Sequence, residues 1–146
     1  MNNLVFPTVM GDITINRYSL EKRIGYRYET SLPDNKTGFA EVTFNPIIEF
    51  RDSEENDIFN VCLKLGLAPD MIITDIEKFF VNGTIPSQTR TGLGRFILED
   101  MLTLAAMQYA GIAYSKATTK AMSQFLEKNN FEELTKFRWH YFMLLE

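Results

Sequence analysis

Apolar and polar residues alternate along the first third of the chain, which is the pattern of strands with one buried face. Residues 11–18 place apolar side chains between polar neighbours, and residues 24–31 and 39–44 alternate in the same way. Between the last two runs, residues 32–38 combine Pro, Asp, Asn and Gly, which favour turns. The pattern predicts a first strand at 11–18 and an antiparallel hairpin of 24–31 with 39–44. Segment 1–10 is apolar and is interrupted by a proline. Its pattern does not decide whether it packs against the rest of the chain or frays.

Helical spacing begins after residue 50. The short apolar run 47–50 follows Pro46, and we predict an edge strand there because proline has no N–H to give to a sheet. Residues 52–55 (Asp-Ser-Glu-Glu) are typical of a helix start. Apolar residues within 58–65 then recur at helical spacing, and Gly66 is expected to end the helix.

The second half of the chain shows strand and helix patterns in turn. Residues 71–80 are dense in Ile and Phe, as in a central strand. Asn82-Gly83 allows two interpretations, a two-residue hairpin turn or a β-bulge within one longer strand. Apolar residues from 93 to 109 follow helical spacing, and Gly111 is expected to end that helix. A short strand at 112–114 follows.

One more helix and two strands are predicted in the C-terminal part. Thr118 is expected to cap a helix that runs to about Asn129, and Asn130 is expected to end it in the left-handed conformation. Residues 131–134 and 139–145 are predicted strands. This order indicates a single α+β domain with a mixed sheet, in which the strand–helix–strand unit at residues 71–115 is parallel and right-handed.

Composition places the chain among globular proteins. Its 146 residues are 45% hydrophobic and 13% aromatic, enough for one core. The single cysteine, Cys62, excludes an intramolecular disulfide, offers no thiol pair for zinc and is expected to be a small buried hydrophobe. No apolar run approaches the roughly 20 residues of a membrane helix, and no signal-peptide pattern is present. We therefore expect a cytoplasmic protein without a metal site or a membrane contact.

Charge is distributed unevenly along the chain. Residues 1–75 carry seven Lys or Arg and twelve Asp or Glu, whereas residues 76–146 carry eight and seven. The overall net charge of −4 therefore arises in the first half. A nucleic-acid backbone requires clustered positive charge, so no nucleic-acid partner is expected. The acidic surface either attracts a cationic partner or substrate amine, or is merely solvated.

The most specific chemistry lies in residues 84–94, Thr-Ile-Pro-Ser-Gln-Thr-Arg-Thr-Gly-Leu-Gly. This segment joins the predicted central strand to the long helix, and Gly92 and Gly94 stand where the helix begins. A helix N-terminus offers free backbone N–H groups to an anion, and glycine allows a close approach. The segment therefore predicts a binding site for an anion.

This segment resembles the acetyl-CoA-binding segment of the GNAT acyltransferases. In that family a strand ends in V-x-P and Q/R-x-x-G-x-G/A opens a long helix, a pattern matched in register by Pro86, Gly92 and Gly94. Residues 125–132, Phe-Leu-Glu-Lys-Asn-Asn-Phe-Glu, are similar to the family's F-Y-E-K-x-G-F-E segment. The resemblance covers residues 71–146.

The resemblance implies a single GNAT-like domain at 1–146, with an atypical acceptor-side half at 1–70 and a CoA-binding half at 71–146. It implies an N-acetyltransferase that uses acetyl-CoA as co-substrate and transfers an acetyl group to an amine of a small molecule or a protein; it leaves a homodimer open. It also favours the bulge interpretation of Asn82-Gly83. The implied cofactor-binding residues are Gln88, Thr89, Arg90, Thr91, Gly92, Leu93, Gly94 and Arg95.

The sequence departs from the family pattern at several positions. Thr89 stands where the family has Gln or Arg, Thr119 where Asn is common, and Asn130 where Gly is usual. Leu126 stands where many members have the Tyr that protonates the leaving thiolate. The usual opening of one strand and two helices is absent from the pattern of residues 1–70. These departures support an alternative, a catalytically inactive GNAT-fold protein with an interaction or structural role, for example a viral or phage component or an inhibitor.

Acyl transfer requires a base for the ammonium and an acid for the thiolate. Glu77, with Asp75 beside it, lies on the strand before the loop and is the candidate base. Tyr114, with Ser115 beside it, ends the next strand and is the candidate acid. Each also has a simpler interpretation, as a solvent-facing acid or as packing. His140, the only histidine, is interpreted as packing.

Overall fold

The structure is a computed structural model that describes residues 2–8, 11–31, 37–54, 56–79, 92–117, 119–133 and 139–145. Their elements in chain order are β1 (Asn2–Thr8), β2 (Gly11–Ser19), β3 (Gly25–Ser31), β4 (Thr37–Pro46), a 3₁₀ helix (Ile47–Phe50), α1 (Asn56–Lys64), β5 (Ile72–Phe79), α2 (Leu93–Met107), β6 (Ile112–Lys116), α3 (Lys120–Lys128), β7 (Glu132–Glu133) and β8 (His140–Leu144). The predicted α+β class is confirmed.

The described strands follow the hydrogen-bonded order β1-β2-β3-β4-β5-β6-β8-β7. The chain divides into two compact units. Unit 1 contains Met1–Thr43 and Ile76–Leu104, and unit 2 contains Phe44–Asp75 and Ala105–Glu146. Strands β4 and β5 and helix α2 each contribute residues to both units.

Unit 1 is built on the antiparallel strands at the start of the chain. The predicted hairpin is confirmed, since β3 pairs with β4 from Gly25↔Thr43 to Ser31↔Thr37. Segment 1–10 does not fray within its described part, because β1 pairs with β2 in a register that places Pro7 opposite Asp12. A proline is tolerated there because β1 is the first strand in the order and needs N–H donors on one side only.

Unit 2 has a core of buried side chains from β5, β6, β8, α1 and the 3₁₀ helix. Its members are Ile47, Phe50, Ile58, Val61, Cys62, Ile73, Ile112, Tyr114 and Phe142. Cys62 is fully buried, as predicted, and its burial raises the pKa of the thiol to about 11. These contacts place α1 over the strand face that carries Tyr114.

The predicted edge strand at residues 47–50 is wrong. Ile47 and Phe50 are both buried, and residues three apart share one side of a 3₁₀ helix but point to opposite faces of a strand. The N–H of Ile47 also donates to the carbonyl of Met71 at 2.9 Å. Burial of two apolar side chains on one side therefore overrode the strand-like composition of the segment.

The predicted strand at 71–80 is confirmed as β5, and the helix that begins at residue 93 is confirmed as α2. Strands β5 and β6 are neighbours in the sheet, and the N–H of Gly111 donates to the carbonyl of Ile72 at 2.9 Å. Because the residue that precedes β6 meets the first residue of β5, the two neighbouring strands run in the same direction, as predicted. Asn82-Gly83 lies outside the described residues.

Two predicted helix boundaries are displaced. Gly111 does not end α2; Tyr109 does, in a left-handed conformation with φ 55°. Gly111 instead lies against Met71, where a side chain would collide with the thioether. Helix α3 is capped by Thr119, whose hydroxyl accepts from the N–H of Met122 at 3.1 Å. Thr118, the predicted cap, lies outside the described residues.

Candidate functional site

The predicted anion site is described from Gly92 onward. Gly92 has φ +88°, in the left-handed region that glycine enters at little cost. Its carbonyl accepts from the N–H of Phe96 at 2.8 Å, the first hydrogen bond of α2. Four of the eight predicted cofactor-binding residues, Gln88, Thr89, Arg90 and Thr91, lie outside the described residues.

The first turn of α2 suits a negatively charged ligand. It contains no acidic residue, and its Arg95 side chain is 71% exposed. Leu93 is buried and Gly94 is half-buried, so Arg95 projects towards solvent while the turn rests on the core. Arg95 Nε donates to Glu99 at 3.0 Å, an exposed ion pair that holds the guanidinium only weakly.

Phe6 on β1 lies beside this helix start. A methyl group at residue 92 would lie 3.5 Å from Phe6 Cζ, and the rings of Phe6 and Phe96 have centroids 5.3 Å apart. An aromatic side chain of the first strand therefore borders the turn. The sequence contained no signal for this contact, because segment 1–10 had no predicted position.

A partly buried ion pair holds α2 against β2 and β3. Arg17 Nη1 donates to Asp100 at 2.7 Å, and the hydroxyl of Tyr28 donates to the same carboxylate at 2.6 Å. Burial, followed by the hydrogen bond to Asp100, raises the pKa of Tyr28 well above its ordinary value. Sequence reasoning missed this cluster, since Arg17 and Asp100 lie 83 residues apart and neither belongs to a motif.

The candidate base Glu77 is engaged in an ion-pair network of unit 1. Arg23 Nη1 donates to Glu77 Oε1 at 2.8 Å, and Arg23 Nη2 lies 3.8 Å from Glu41 Oε2. Glu41 is only 8% exposed and accepts from Arg27 Nη1 at 2.6 Å. Glu77 can take a proton from an amine only where its carboxylate turns away from Arg23 or uses its other oxygen.

The candidate acid Tyr114 is buried in unit 2, at 1% exposure. Its hydroxyl lies 2.6 Å from Nδ1 of His140, and the two rings have centroids 5.6 Å apart. The structure thus brings together one predicted catalytic residue and the single histidine, which sequence reasoning had interpreted as packing. Asp75 and Ser115, the neighbours named with the two candidates, are also buried.

The segment similar to the second GNAT motif, residues 125–132, forms the second part of α3, the turn that follows and the first residue of β7. Leu126 is fully buried, so this position supplies packing and no hydroxyl. Asn130 has φ 70°, the left-handed conformation predicted for it, at the place where the family has glycine. Thr119 caps the helix in place of the family's Asn. The segment therefore belongs to a capped helix and carries a buried leucine at the position where the GNAT motif has tyrosine.

A cavity of about 380 Å³ lies in unit 2 near the start of β6 and the end of β8. Leucine, isoleucine, phenylalanine and methionine line most of it, and Asn130 and Glu132 supply its polar groups. Such a lining offers one carboxylate and one amide, too few groups to identify a ligand.

Within the described ranges, no three His, Cys, Asp or Glu side chains are grouped so that they could hold a metal ion. None of the helices in that part of the chain has both the length and the apolar character needed to span a bilayer. No protein-family model matches the chain, and no curated protein matches it significantly.

Proposed function

We propose that this chain is an N-acetyltransferase with a GNAT-like fold that transfers an acetyl group from acetyl-CoA to an amine. The observation that carries the proposal is the left-handed Gly92 at the start of α2, in a first turn without an acidic side chain. This turn follows β5, and α2 leads into β6, the neighbour of β5.

The physical basis of CoA binding at this turn is the helix N-terminus. Its free N–H groups and positive dipole end favour the pyrophosphate, and glycine lets the phosphate oxygens approach the backbone. Arg95 adds a positive charge, and its exposed ion pair with Glu99 opposes that charge weakly. These features support the pyrophosphate end of acetyl-CoA as the group bound here.

Catalysis in this proposal uses Glu77 as the base. The amine nitrogen attacks the thioester carbonyl carbon after Glu77 has accepted the proton of the ammonium. The carbon–sulfur bond then breaks, and the CoA thiolate takes up a proton from water. Tyr114, the acid predicted from the sequence, is 1% exposed in the core of unit 2, so this proposal assigns it no step.

A second candidate function is an interaction or structural role for an inactive GNAT-like protein. The ion pair between Arg23 and Glu77 favours it, because it occupies the candidate base. Burial of Leu126 at the position of the usual tyrosine favours it as well. Acetyl-CoA binding without release of CoA in the presence of any amine would select this candidate.

Titration calorimetry with acetyl-CoA tests the CoA site. We expect wild type to bind, and Gly92→Glu to lose binding because its carboxylate would repel the pyrophosphate. Gly92→Ala is the matched control, since it places the same strain on a left-handed backbone without adding charge. It should retain binding within about tenfold of wild type, or about 1.4 kcal/mol.

Two results would contradict the proposal. Wild type that fails to bind acetyl-CoA at millimolar concentration has no such site. If Gly92→Glu binds as tightly as Gly92→Ala, acetyl-CoA binds elsewhere on the protein. Circular dichroism of both variants shows whether the fold is intact.

A further inference from the structure

We infer that the cavity of unit 2 binds a small primary amine, a molecule with an apolar alkyl body and a cationic head. One carboxylate on an otherwise apolar wall does not identify a single molecule, but it defines this chemical class. The described residues that line the cavity all belong to unit 2, and no step of acetyl transfer is assigned to it.

One face of the sheet forms the floor of the cavity. Ile112 on β6 is paired with Leu144 on β8. Phe142 on β8 is paired with Glu132 on β7. Paired residues share a face of a sheet, and so do residues two apart on one strand. These four side chains therefore lie on the same face, three of them apolar and one a carboxylate.

The end of helix α1 leaves this face open on one side. Helix α1 packs on the face and ends at Lys64, and Leu65, the next residue, lines the cavity. Ile112 is fully buried, whereas Leu65 and Leu144 are 44% and 63% exposed. The cavity therefore has a buried apolar floor and an opening to solvent that two leucines border.

The size and the apolar lining of the cavity suit a small organic molecule. Its volume of about 380 Å³ lies within the range of ligand sites, which are mostly apolar and contain a few polar groups. A single exposed leucine needs no explanation, but here two of them border the same cavity. An alkyl chain placed against Leu65 and Leu144 would remove apolar surface from water, which favours binding.

The polar groups of the cavity select a cationic head. Glu132 supplies an exposed carboxylate, and the side-chain amide oxygen of Asn130 can accept a hydrogen bond. An ammonium group donates hydrogen bonds and is attracted by a carboxylate, whereas Glu132 would repel an anionic head. Among the ion pairs of the described residues, none involves Glu132. Its charge is therefore available to a ligand.

Titration with hexylamine, followed by NMR of the Leu65 and Leu144 signals, tests the site. Hexylamine, 1-hexanol and hexanoate have alkyl bodies of similar length with a cationic, a neutral and an anionic head at neutral pH. We expect hexylamine to bind wild type with a Kd of about 1 mM. Hexanoate should bind about tenfold more weakly, because the carboxylate of Glu132 attracts one head and repels the other.

Substitutions of Glu132 test the source of this selectivity. Glu132→Gln should weaken hexylamine binding by about three- to fivefold, the contribution of an exposed ion pair, and leave 1-hexanol unchanged. Glu132→Lys should reverse the order, so that hexanoate binds more tightly than hexylamine. β7 is the last strand in the hydrogen-bonded order of the described strands, so the sheet tolerates both changes.

Glu133→Gln is the matched control on the same strand. It removes the same charge from the next residue, whose side chain points to the other face of the sheet. An amide oxygen can still accept from the N–H of Trp139, as the Glu133 carboxylate does at 2.8 Å. This variant should bind all three molecules as wild type does, and circular dichroism shows whether each variant keeps its fold.

Two results would overturn the inference. If about 10 mM hexylamine produces no saturating shift of the Leu65 and Leu144 signals, the cavity holds no such ligand. If wild type binds hexylamine and hexanoate equally, or if Glu132→Lys keeps the wild-type order, Glu132 does not select a cation. Acetyl-CoA binding is measured separately, so both results leave the proposed function intact, and a protein that fails to bind acetyl-CoA leaves this site intact.

Discussion

At the scale of single residues, polar side chains form hydrogen bonds that join segments far apart in the sequence. Asp100 on α2 receives hydrogen bonds from Arg17 on β2 and Tyr28 on β3. The side chains of Arg17 and Asp100 are 14% and 21% exposed, so the pair is only weakly solvated. Removing one partner of such a pair lowers stability mainly because the other partner is then left partly buried without its counter-charge.

Asp100→Ala should therefore lower the free energy of unfolding by about 3 kcal/mol, because it leaves a buried hydroxyl and a guanidinium without their acceptor. Glu99→Ala is the matched control on the same helix, since the Glu99 side chain is 63% exposed and its ion pair with Arg95 lies at the surface. Its effect should stay within about 0.5 kcal/mol. Urea denaturation measures both, and equal effects would show that the Asp100 cluster is not stabilising.

At the scale of elements, the three described α-helices end in the same way with three different residues. Gly66, Tyr109 and Asn130 have φ of 78°, 55° and 70° respectively. At each end the following residue donates to a carbonyl five residues back, as Ala110 does to Ala105 at 3.0 Å. This is the Schellman arrangement, which glycine adopts without strain and tyrosine does not.

Tyr109→Gly should raise the free energy of unfolding by about 1 kcal/mol, because it removes the strain of a left-handed tyrosine. The side chain is 90% exposed, so little packing is lost. Asn130→Gly should gain less, since Asn tolerates this conformation, and Gly66→Ala should lose about 1 kcal/mol. Thermal denaturation of the three variants gives the order, and a destabilised Tyr109→Gly would indicate a contact of the tyrosine ring.

At the scale of the whole molecule, the described strands follow one hydrogen-bonded order while contacts divide the chain into two units. The prediction of a single domain requires both units to unfold in one transition. The only tryptophan, Trp139, lies in unit 2, and the Asp100 cluster lies in unit 1. The protein therefore contains a reporter in one unit and a site for destabilisation in the other.

We expect Asp100→Ala to lower the urea midpoint seen by Trp139 fluorescence as much as the midpoint seen by far-ultraviolet circular dichroism. Coincident curves are the signature of cooperative two-state unfolding. Glu99→Ala should leave both midpoints at their wild-type values. If fluorescence keeps the wild-type midpoint in Asp100→Ala while circular dichroism shifts, the two units unfold separately and the single-domain prediction is wrong.

The α+β class and most elements were determined by the sequence alone. Alternation in residues 11–44 specified β2, β3 and β4, because a strand with one buried face requires that period. Apolar residues at helical spacing after residue 93 specified α2, because a helix with one buried face requires that spacing. The left-handed ends at Gly66 and Asn130 followed from side chains that tolerate positive φ.

Only the tertiary structure decided the partners of the candidate catalytic residues. The sequence placed Glu77 and Tyr114 on strands, but it could not show that Arg23 pairs with Glu77 or that His140 meets Tyr114. These contacts join residues 54 and 26 positions apart, and local pattern contains no information on such distances. Packing also decided where α2 ends. Gly111 lies against Met71, where a side chain would collide, and Tyr109 takes the left-handed conformation at the end of the helix. Periodicity reports which face of a segment is buried, whereas only packing determines what each polar side chain meets there.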